Sequence, residues 1–179
     1  MFARNAILPD ATAIERLINF HTSDGTLLPR NFAEICENIR DFVVAEHEGK
    51  IIGCGALHLY GMHLAEIRSI TVSPAFNGKG AGRALVEALL REAERQNVTC
   101  TCLFTRIPEF FARMGFRVVQ HAEVPDKLYK DCLRCPRRHA CDEIAMVRGE
   151  LPNFAILAPQ TASKSQLVGI VQPAPMFIK

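Results

Sequence analysis

Apolar residues recur at helical and strand-like spacings through most of the chain, starting near the N-terminus. Residues 11–20 carry an apolar stripe of helical period, and Asp10 is placed to cap that helix. Asn31 and Glu34 have the spacing of a capping box, which predicts a second helix to about residue 39.

Strand-like patterns follow the two predicted helices. Residues 42–46 and 51–59 read as strands, and the turn at residues 48–50 joins them into a hairpin. Residues 66–72 form the next predicted strand, whose apolar parity changes between Ile67 and Ile70. One extra residue near Arg68 and Ser69, a β-bulge, explains the change, and a sheet covered on both faces explains it equally.

The second half of the pattern alternates helices with strands. A long amphipathic helix is predicted over residues 81–96, with Glu87 and Arg91 spaced to pair. It is followed by a strand (98–104), a short helix (108–114) that ends at Gly115, and two strands (118–124 and 143–147). This order predicts an α/β fold, in which a central mixed sheet is flanked by helices.

The length of 179 residues fits one domain with a sizeable core. We assign residues 1–149 to that domain. From residue 150 the composition shifts to four prolines and few charges, so residues 150–179 read as a C-terminal extension, docked or partly disordered.

Charge and composition narrow the classes of function. The net charge is +2 with scattered Lys and Arg, which argues against nucleic-acid binding. No apolar run is long enough for a membrane span, and the N-terminus lacks the pattern of a signal peptide. Seven cysteines without an export signal indicate a reducing cytoplasm. The sequence leaves a homodimer open.

Three glycines at alternate positions separate the strand at 66–72 from the long helix. Gly78, Gly80 and Gly82 allow close approach of a ligand, and the first amides of the helix have no partner inside it. The pattern therefore predicts a phosphate site. Arg83 and Ala84 follow the last glycine, so the loop is not a P-loop, and the surroundings do not fit a dinucleotide fingerprint.

The motif Val-Ser-Pro-x-x-x-Gly-x-Gly-x-Gly-Arg-x-Leu at residues 72–85 resembles motif A of the GCN5-related N-acetyltransferases (GNAT). The resemblance implies the acyl-CoA N-acyltransferase fold, acetyl-CoA as co-substrate, a β-bulge in the central strand and a split between two neighbouring strands. Asn77 stands where the family usually has Gln or Arg. The implied coenzyme-binding residues are Ile70, Thr71 and Val72 for the pantetheine arm, and Asn77, Gly78, Lys79, Gly80, Ala81, Gly82 and Arg83 for the phosphates.

Glu66 heads the central strand, where such enzymes often place the carboxylate that deprotonates the amine. The alternative for Glu66 is an exposed residue at the strand end, paired with Arg68. His58 and His63 are weaker candidates. The Tyr that usually protonates the leaving thiolate is replaced by Phe110 and Phe111, so Tyr129 is the candidate acid, with packing as its alternative role.

Segments 27–30, 104–116, 124–132 and 142–148 resemble, more narrowly, the acetyltransferase domain of N-acetylglutamate synthases. The similarity runs over roughly residues 2–148 and includes no kinase-like domain, so we expect a short, stand-alone version. L-Glutamate would then be the acetyl acceptor, in arginine biosynthesis.

The resemblance places Arg30 and Arg106 on the two carboxylates of glutamate, with the Leu28 backbone assisting. Guanidinium groups bind carboxylates bidentately, and Arg68 adds a third positive charge. Solvated surface arginines are the alternative. Other acceptors stay open, such as glutamine or a protein N-terminus, as does a non-catalytic acyl-CoA-binding regulatory module.

Four soft ligands lie within ten residues: Cys132, Cys135, His139 and Cys141. Zinc knuckles usually separate two ligand pairs more widely, so we predict free thiols and no metal. A zinc site and a Cys132–Cys135 redox pair are the alternatives.

Overall fold

The computed structural model describes residues 1–22, 27–135 and 138–151, except the side chain at position 134. The strands are β1 (Phe2–Asn5), β2 (Phe42–His47), β3 (Lys50–Gly61), β4 (Leu64–Val72), β5 (Cys100–Thr105), β6 (Arg117–Val118) and β7 (Ile144–Gly149). The helices are α1 (Ala11–Phe20), α2 (Phe32–Glu37), α3 (Ala81–Arg95), α4 (Pro108–Ala112) and α5 (Pro125–Lys130).

The seven strands form one mixed sheet in the order β1-β2-β3-β4-β5-β7-β6, with β4 and β5 parallel and the other pairs antiparallel. Helix α3 packs on one face, where Leu85 and Leu89 join the buried residues Ile67 and Leu103. Helices α1 and α2 cover the other face through a second apolar cluster that includes Ile14, Ile18 and Ile35. The predicted mixed sheet between helices is confirmed.

The β-bulge is also confirmed. Cys54 pairs with Thr71 and Ala56 pairs with Arg68, so one residue of β3 stands opposite two residues of β4, Ser69 and Ile70. Ser69 has a positive φ of 55°. The extra residue changes which face the later side chains of β4 occupy, as the parity of the apolar residues indicated.

Strands β4 and β5 pair only at their first residues. The ladder joins Ala65 to Thr101 and Glu66 to Cys102. Beyond Glu66, the rest of β4 lies against β3 alone within the described sheet, and a gap opens on the side of β5.

The predicted strand at residues 118–124 is wrong. Only Arg117–Val118 is strand; a single helical turn at His121–Glu123 and helix α5 follow. Glu123 accepts a hydrogen bond from the Gln120 amide at 2.7 Å, which begins the turn, and Pro125 suits the first turn of α5. Strand β1 was not predicted, and it pairs with the edge of β2.

Asp10 does not cap α1 with its side chain, contrary to the prediction. Its carboxylate instead accepts hydrogen bonds from Arg4 Nη1 at 2.7 Å and from the Ile7 amide at 2.9 Å. The hydrogen bond from Arg4 lowers the pKa of Asp10 although burial opposes it. The residue thus ties β1 to the start of α1.

Other local predictions are mostly confirmed at the helix ends. The Asn31 side chain caps α2 by accepting from the Glu34 amide at 2.8 Å. Helix α3 ends at Arg95, and its Glu87 lies 3.8 Å from Arg83 rather than pairing with Arg91. Within the described residues, no helix has the length and apolar character needed to cross a bilayer. Residues 152–179 lie outside the described residues, so the division at 149/150 stays a prediction.

Helix α3 approaches the sheet closely because β3 carries glycine beneath it. A Cβ at Gly55 would lie 3.0 Å from Leu89 Cδ1 and 3.1 Å from Ile70 Cγ1. We expect Gly55→Ala to lower the free energy of unfolding by about 1–3 kcal/mol, because it overpacks this contact. Urea unfolding measures the change.

A double-mutant cycle with Leu89→Ala identifies the cause. The cost of Gly55→Ala should shrink in the Leu89→Ala background, because the contacted methyl group is gone. Equal costs in both backgrounds would contradict close packing of α3 as the cause.

Candidate active site

The glycine loop, residues 77–83, leads from β4 into helix α3. Gly78 and Gly80 have φ values of 74° and 89°, a left-handed conformation that glycine adopts without strain. Ala84 donates the first hydrogen bond of the helix, to Gly80 O at 3.0 Å. The amides of Ala81, Gly82 and Arg83 precede that bond, so they are free to bind an anion.

The space in front of the glycine loop is open. A Cβ at Gly78 or Gly80 would meet nothing within 4 Å. A Cβ at Gly82 would lie 3.4 Å from Phe110 Cζ, so the Phe110 ring stands at the start of α3. This cradle fits a diphosphate, and the aromatic ring beside it carries no hydroxyl. The binding roles of the glycine loop and of Ile70, Thr71 and Val72 stay predictions.

A cleft of about 520 Å³, here called the substrate cleft, lies where β4 leaves β5. Its wall contains Glu66 and the four predicted substrate residues: Leu28, Arg30, Arg68 and Arg106. Tyr129 does not line the cleft and is 72% exposed. A more open groove between β1 and α3, of about 590 Å³, contains no predicted site residue.

Glu66 is buried in the wall of the substrate cleft, with only 2% of its surface exposed. Its Oε1 lies 2.8 Å from Lys127 Nζ, and its Oε2 accepts a hydrogen bond from the Tyr60 hydroxyl at 2.9 Å. The alternative of an exposed Glu66 paired with Arg68 is therefore wrong. Burial, reinforced by the Glu66 charge, raises the pKa of Tyr60 well above its usual value, so Tyr60 remains a donor.

Sequence reasoning missed Lys127, because the sequence pattern predicts a strand at residues 118–124 and no helix over α5. Lys127 also lies 2.9 Å from Asp131 one turn later. Burial lowers the pKa of Lys127, but the charges and hydrogen bonds of Glu66 and Asp131 outweigh it and raise the pKa overall. The signal in the sequence was Pro125 followed by an i,i+4 Lys–Asp pair.

Each predicted substrate arginine already has an acidic neighbour. Arg30 pairs with Glu34 and donates through Nε to Ser69 Oγ at 3.0 Å. Arg106 Nε donates to Asp142 Oδ2 at 2.8 Å. The third, Arg68, lies 3.8 Å from an Asp131 carboxylate oxygen. These contacts orient the guanidinium groups before any substrate arrives.

The two histidine candidates have partners other than the Glu66 carboxylate. His58 Nδ1 lies 3.1 Å from Arg68 Nη2, and its Nε2 lies 2.7 Å from Lys130 Nζ. Burial, followed by these two cations, lowers the pKa of His58 to about 4, so its ring is neutral near pH 7. His63 lies 3.4 Å from the Asp126 carboxylate.

All seven cysteines are free thiols. Cys135 and Cys141 line the substrate cleft, and burial raises the pKa of Cys132. Within the described ranges, which include the four candidate zinc ligands, no group of three or more His, Cys, Asp or Glu side chains is arranged to hold a metal. Cys100 and Cys102 are buried in the core, as predicted.

The left-handed glycines provide a matched pair of variants for the coenzyme prediction. Gly78 and Gly49 share a φ of 74° and open surroundings, but Gly49 lies in the β2–β3 turn. We expect Gly78→Val to weaken CoA binding about tenfold or more, because a side chain would displace a phosphate from the loop amides. Isothermal titration calorimetry measures the affinity.

Gly49→Val serves as the control, because it carries the same backbone cost away from the glycine loop. It should lose stability without losing CoA affinity. Equal losses of affinity in both variants would contradict a phosphate site at the loop.

His58 should make stability depend on pH. Its pKa is about 4 in the folded protein against 6.5 in a free side chain, so the unfolded chain takes up a proton that the folded protein does not. The contribution of the neutral His58 to the free energy of unfolding is therefore lost as pH falls from about 6.5 towards about 4. In His58→Gln, the drop in urea midpoint from about pH 7 to about pH 5 should be smaller than in the wild type. An equal drop would contradict a buried, neutral His58.

Comparisons with known proteins agree with this geometry. The family model described as acetyltransferase (GNAT) domain matches residues 38–118. A Chlorobaculum tepidum protein named uncharacterized N-acetyltransferase is 43% identical over 145 residues, which cover 81% of this chain and 94% of that protein.

An amino-acid acetyltransferase of Mycobacterium tuberculosis is 36% identical over 134 residues, which cover 73% of this chain and 76% of that protein. The crystal structure of N-acetylglutamate synthase from Neisseria gonorrhoeae, complexed with coenzyme A and N-acetyl-glutamate, superposes with a TM-score of 0.71 and 26% identity. That match covers 84% of this chain and 35% of the synthase. The split sheet, the glycine loop and these relatives together show that the chain belongs to the GNAT acetyltransferases and is an N-acetyltransferase that uses acetyl-CoA.

Proposed function

We propose that the protein transfers the acetyl group of acetyl-CoA to the α-amine of L-glutamate, a reaction of arginine biosynthesis. One observation carries the proposal: Arg30, Arg68 and Arg106 converge with Glu66 in a single cleft. Glutamate has two carboxylates and one ammonium group. The guanidinium groups of the cleft can bind the two carboxylates, and the carboxylate of Glu66 can bind the ammonium group. The M. tuberculosis amino-acid acetyltransferase and the N. gonorrhoeae synthase support the choice of an amino acid.

Arg30 and Arg106, which both line the substrate cleft, are suited to hold the two ends of the amino acid. Arg30 is oriented by Ser69 and Glu34, and Arg106 by Asp142. The contacts of Arg30 use its Nε and Nη1, so its Nη2 remains to donate to a substrate carboxylate. The Leu28 backbone is the proposed third contact.

The coenzyme enters from the other side of the sheet in this proposal. Its diphosphate binds the amides of the glycine loop, and its pantetheine arm lies along the free edge of β4 at residues 70–72. The acetyl group then reaches the gap where β4 leaves β5 after Glu66. This route brings the thioester to the substrate cleft on the opposite face.

The proposed reaction proceeds by direct attack. Glu66 takes a proton from the substrate ammonium, directly or through water, and the freed nitrogen attacks the thioester carbon. The C–N bond forms while amides of β4 stabilise the oxyanion. The attacking nitrogen then gives up its second proton to solvent, and the C–S bond breaks with its electron pair leaving on the CoA sulfur. The products are N-acetylglutamate and CoA.

Protonation of the thiolate is assigned to Tyr129 as a prediction, or to solvent. The hydroxyl of Tyr129 lies on an exposed side chain, and the Phe110 ring beside the glycine loop has no proton to give. A thiolate is a fair leaving group without an acid, so solvent suffices for turnover.

Glutamine is the second candidate acceptor. The observation in its favour is the set of charges that line the cleft. Among the residues that the structure describes, five cations line the cleft together with five acids: Arg30, Arg68, Arg106, Lys127 and Lys130 against Glu34, Glu66, Asp131, Asp142 and Glu143. An acid beside each arginine reduces the advantage of a side-chain carboxylate over an amide. The two acceptors differ only at that group.

A thiol-release assay across the free amino acids tests the proposal. With saturating acetyl-CoA, glutamate should give the highest kcat/KM of the panel. A higher value for glutamine would transfer the assignment to glutamine, and release with other amines but with neither of these two would overturn it.

Arg106→Ala should raise the KM for glutamate about 10- to 100-fold, because it removes a charge-assisted contact with a carboxylate. The KM for acetyl-CoA should change little. Arg113→Ala removes the same charge from an exposed position after α4 and should leave both constants near the wild-type values. Equal effects of Arg106→Ala on both substrates would contradict the carboxylate role.

A further inference from the structure

We propose that Lys127 is a positioning residue that holds Glu66 in place and keeps it ionised, and so sets the acid limit of the acetyl transfer. The inference rests on the proposed function, in which Glu66 is the base. It concerns a different element, because Lys127 lies on α5 whereas Glu66 lies on β4.

The geometry fixes the Glu66 carboxylate from two sides. Lys127 Nζ binds one oxygen at 2.8 Å, and the Tyr60 hydroxyl binds the other at 2.9 Å. Both side chains in the ion pair are largely buried, with exposures of 17% for Lys127 and 3% for Glu66. Each carboxylate oxygen still has a lone pair for an ammonium group or a water in the cleft.

Lys127 is itself held in place from three directions. Asp131 accepts its second contact at 2.9 Å, and the Phe104 ring centroid lies 5.8 Å from its ammonium. Its helix begins at a proline and follows the buried Val124. The ammonium therefore has little freedom to leave Glu66.

Other ionisable groups of the described residues surround this pair, and the cations among them have partners of their own. From the strands, His58 and Tyr60 of β3, Arg68 of β4 and the Cys102 thiol of β5 face the same region. From α5 and the residues after it come Asp126, Lys130, Asp131 and Cys132. Of the cations among them, Lys130 contacts His58, and Arg68 contacts His58 and Asp131.

Removing Lys127 should make Glu66 hold its proton more tightly. A buried carboxylate is less stable as an anion when its cation is taken away. Since the base works only when ionised, the acid limb of the rate profile must then move to higher pH. The net raised pKa of Lys127 means that the wild-type ammonium stays charged over this range.

The experiment is the pH profile of kcat/KM for the best acceptor in the amino-acid panel. In Lys127→Met, the midpoint of the acid limb should rise by about 1–3 pH units. Lys127→Arg keeps the positive charge and should restore the wild-type midpoint. Tyr60→Phe removes one neutral donor and should raise the midpoint by less than Lys127→Met does.

Lys130→Met is the matched control. It removes the same charge from the same helix, but Lys130 contacts His58 rather than Glu66. Its acid limb should move less than that of Lys127→Met. If Lys127→Met fails to fold, as thermal unfolding would show, the comparison of Lys127→Arg with Tyr60→Phe carries the test.

The outcomes separate the inference from the proposed function. If the wild type acetylates glutamate and the acid limb of Lys127→Met stays in place, the inference is overturned and the proposed substrate stands. If the wild type prefers another amine, the substrate proposal fails, and the shift is still measured with that amine.

Discussion

The extra residue in β4 at Ser69 and Ile70 is the constraint on which the site depends. A regular strand would keep one alternation of side chains along its whole length. The bulge instead lets Arg68 and Ser69 reach the substrate cleft while Ile70 packs against the core under α3. Combined with the end of pairing to β5 after Glu66, it gives one strand two tasks, on opposite faces of the sheet.

The second feature of the site is a buried chain of charges rather than isolated groups. Lys127 links Glu66 to Asp131, and Asp131 links onward to Arg68. Burial of such groups is costly unless each is paired, so the network specifies a narrow set of side-chain positions. This network of charges reaches from β3 and β4 to α5. It couples the folding of that short helix to the geometry of Glu66.

Much of this architecture could be predicted from local patterns. The change of parity at Ile67 and Ile70 was explained equally by a bulge and by a sheet covered on both faces, and the family resemblance favoured the bulge. The glycine loop followed from the spacing of its glycines. The failure lay at residues 118–124, which were predicted to form a strand, and at the helix that follows them. There the competing signals were tertiary: Val119 is buried just after β6, and Val124 is buried just before α5. Lys127 was missed together with α5, because no local sequence pattern predicts that a lysine will contact a glutamate 61 positions earlier.

The described residues of the substrate cleft include five cations and five acids, and this balance has a consequence for how substrate arrives. Opposite charges a few ångströms apart cancel beyond about one Debye length, roughly 8 Å at physiological salt. Long-range attraction of an anionic amino acid is then weak, and encounter is governed by diffusion and local fit. Added salt should therefore change the rate of capture little, unlike in clefts that funnel their ligands by a one-signed field.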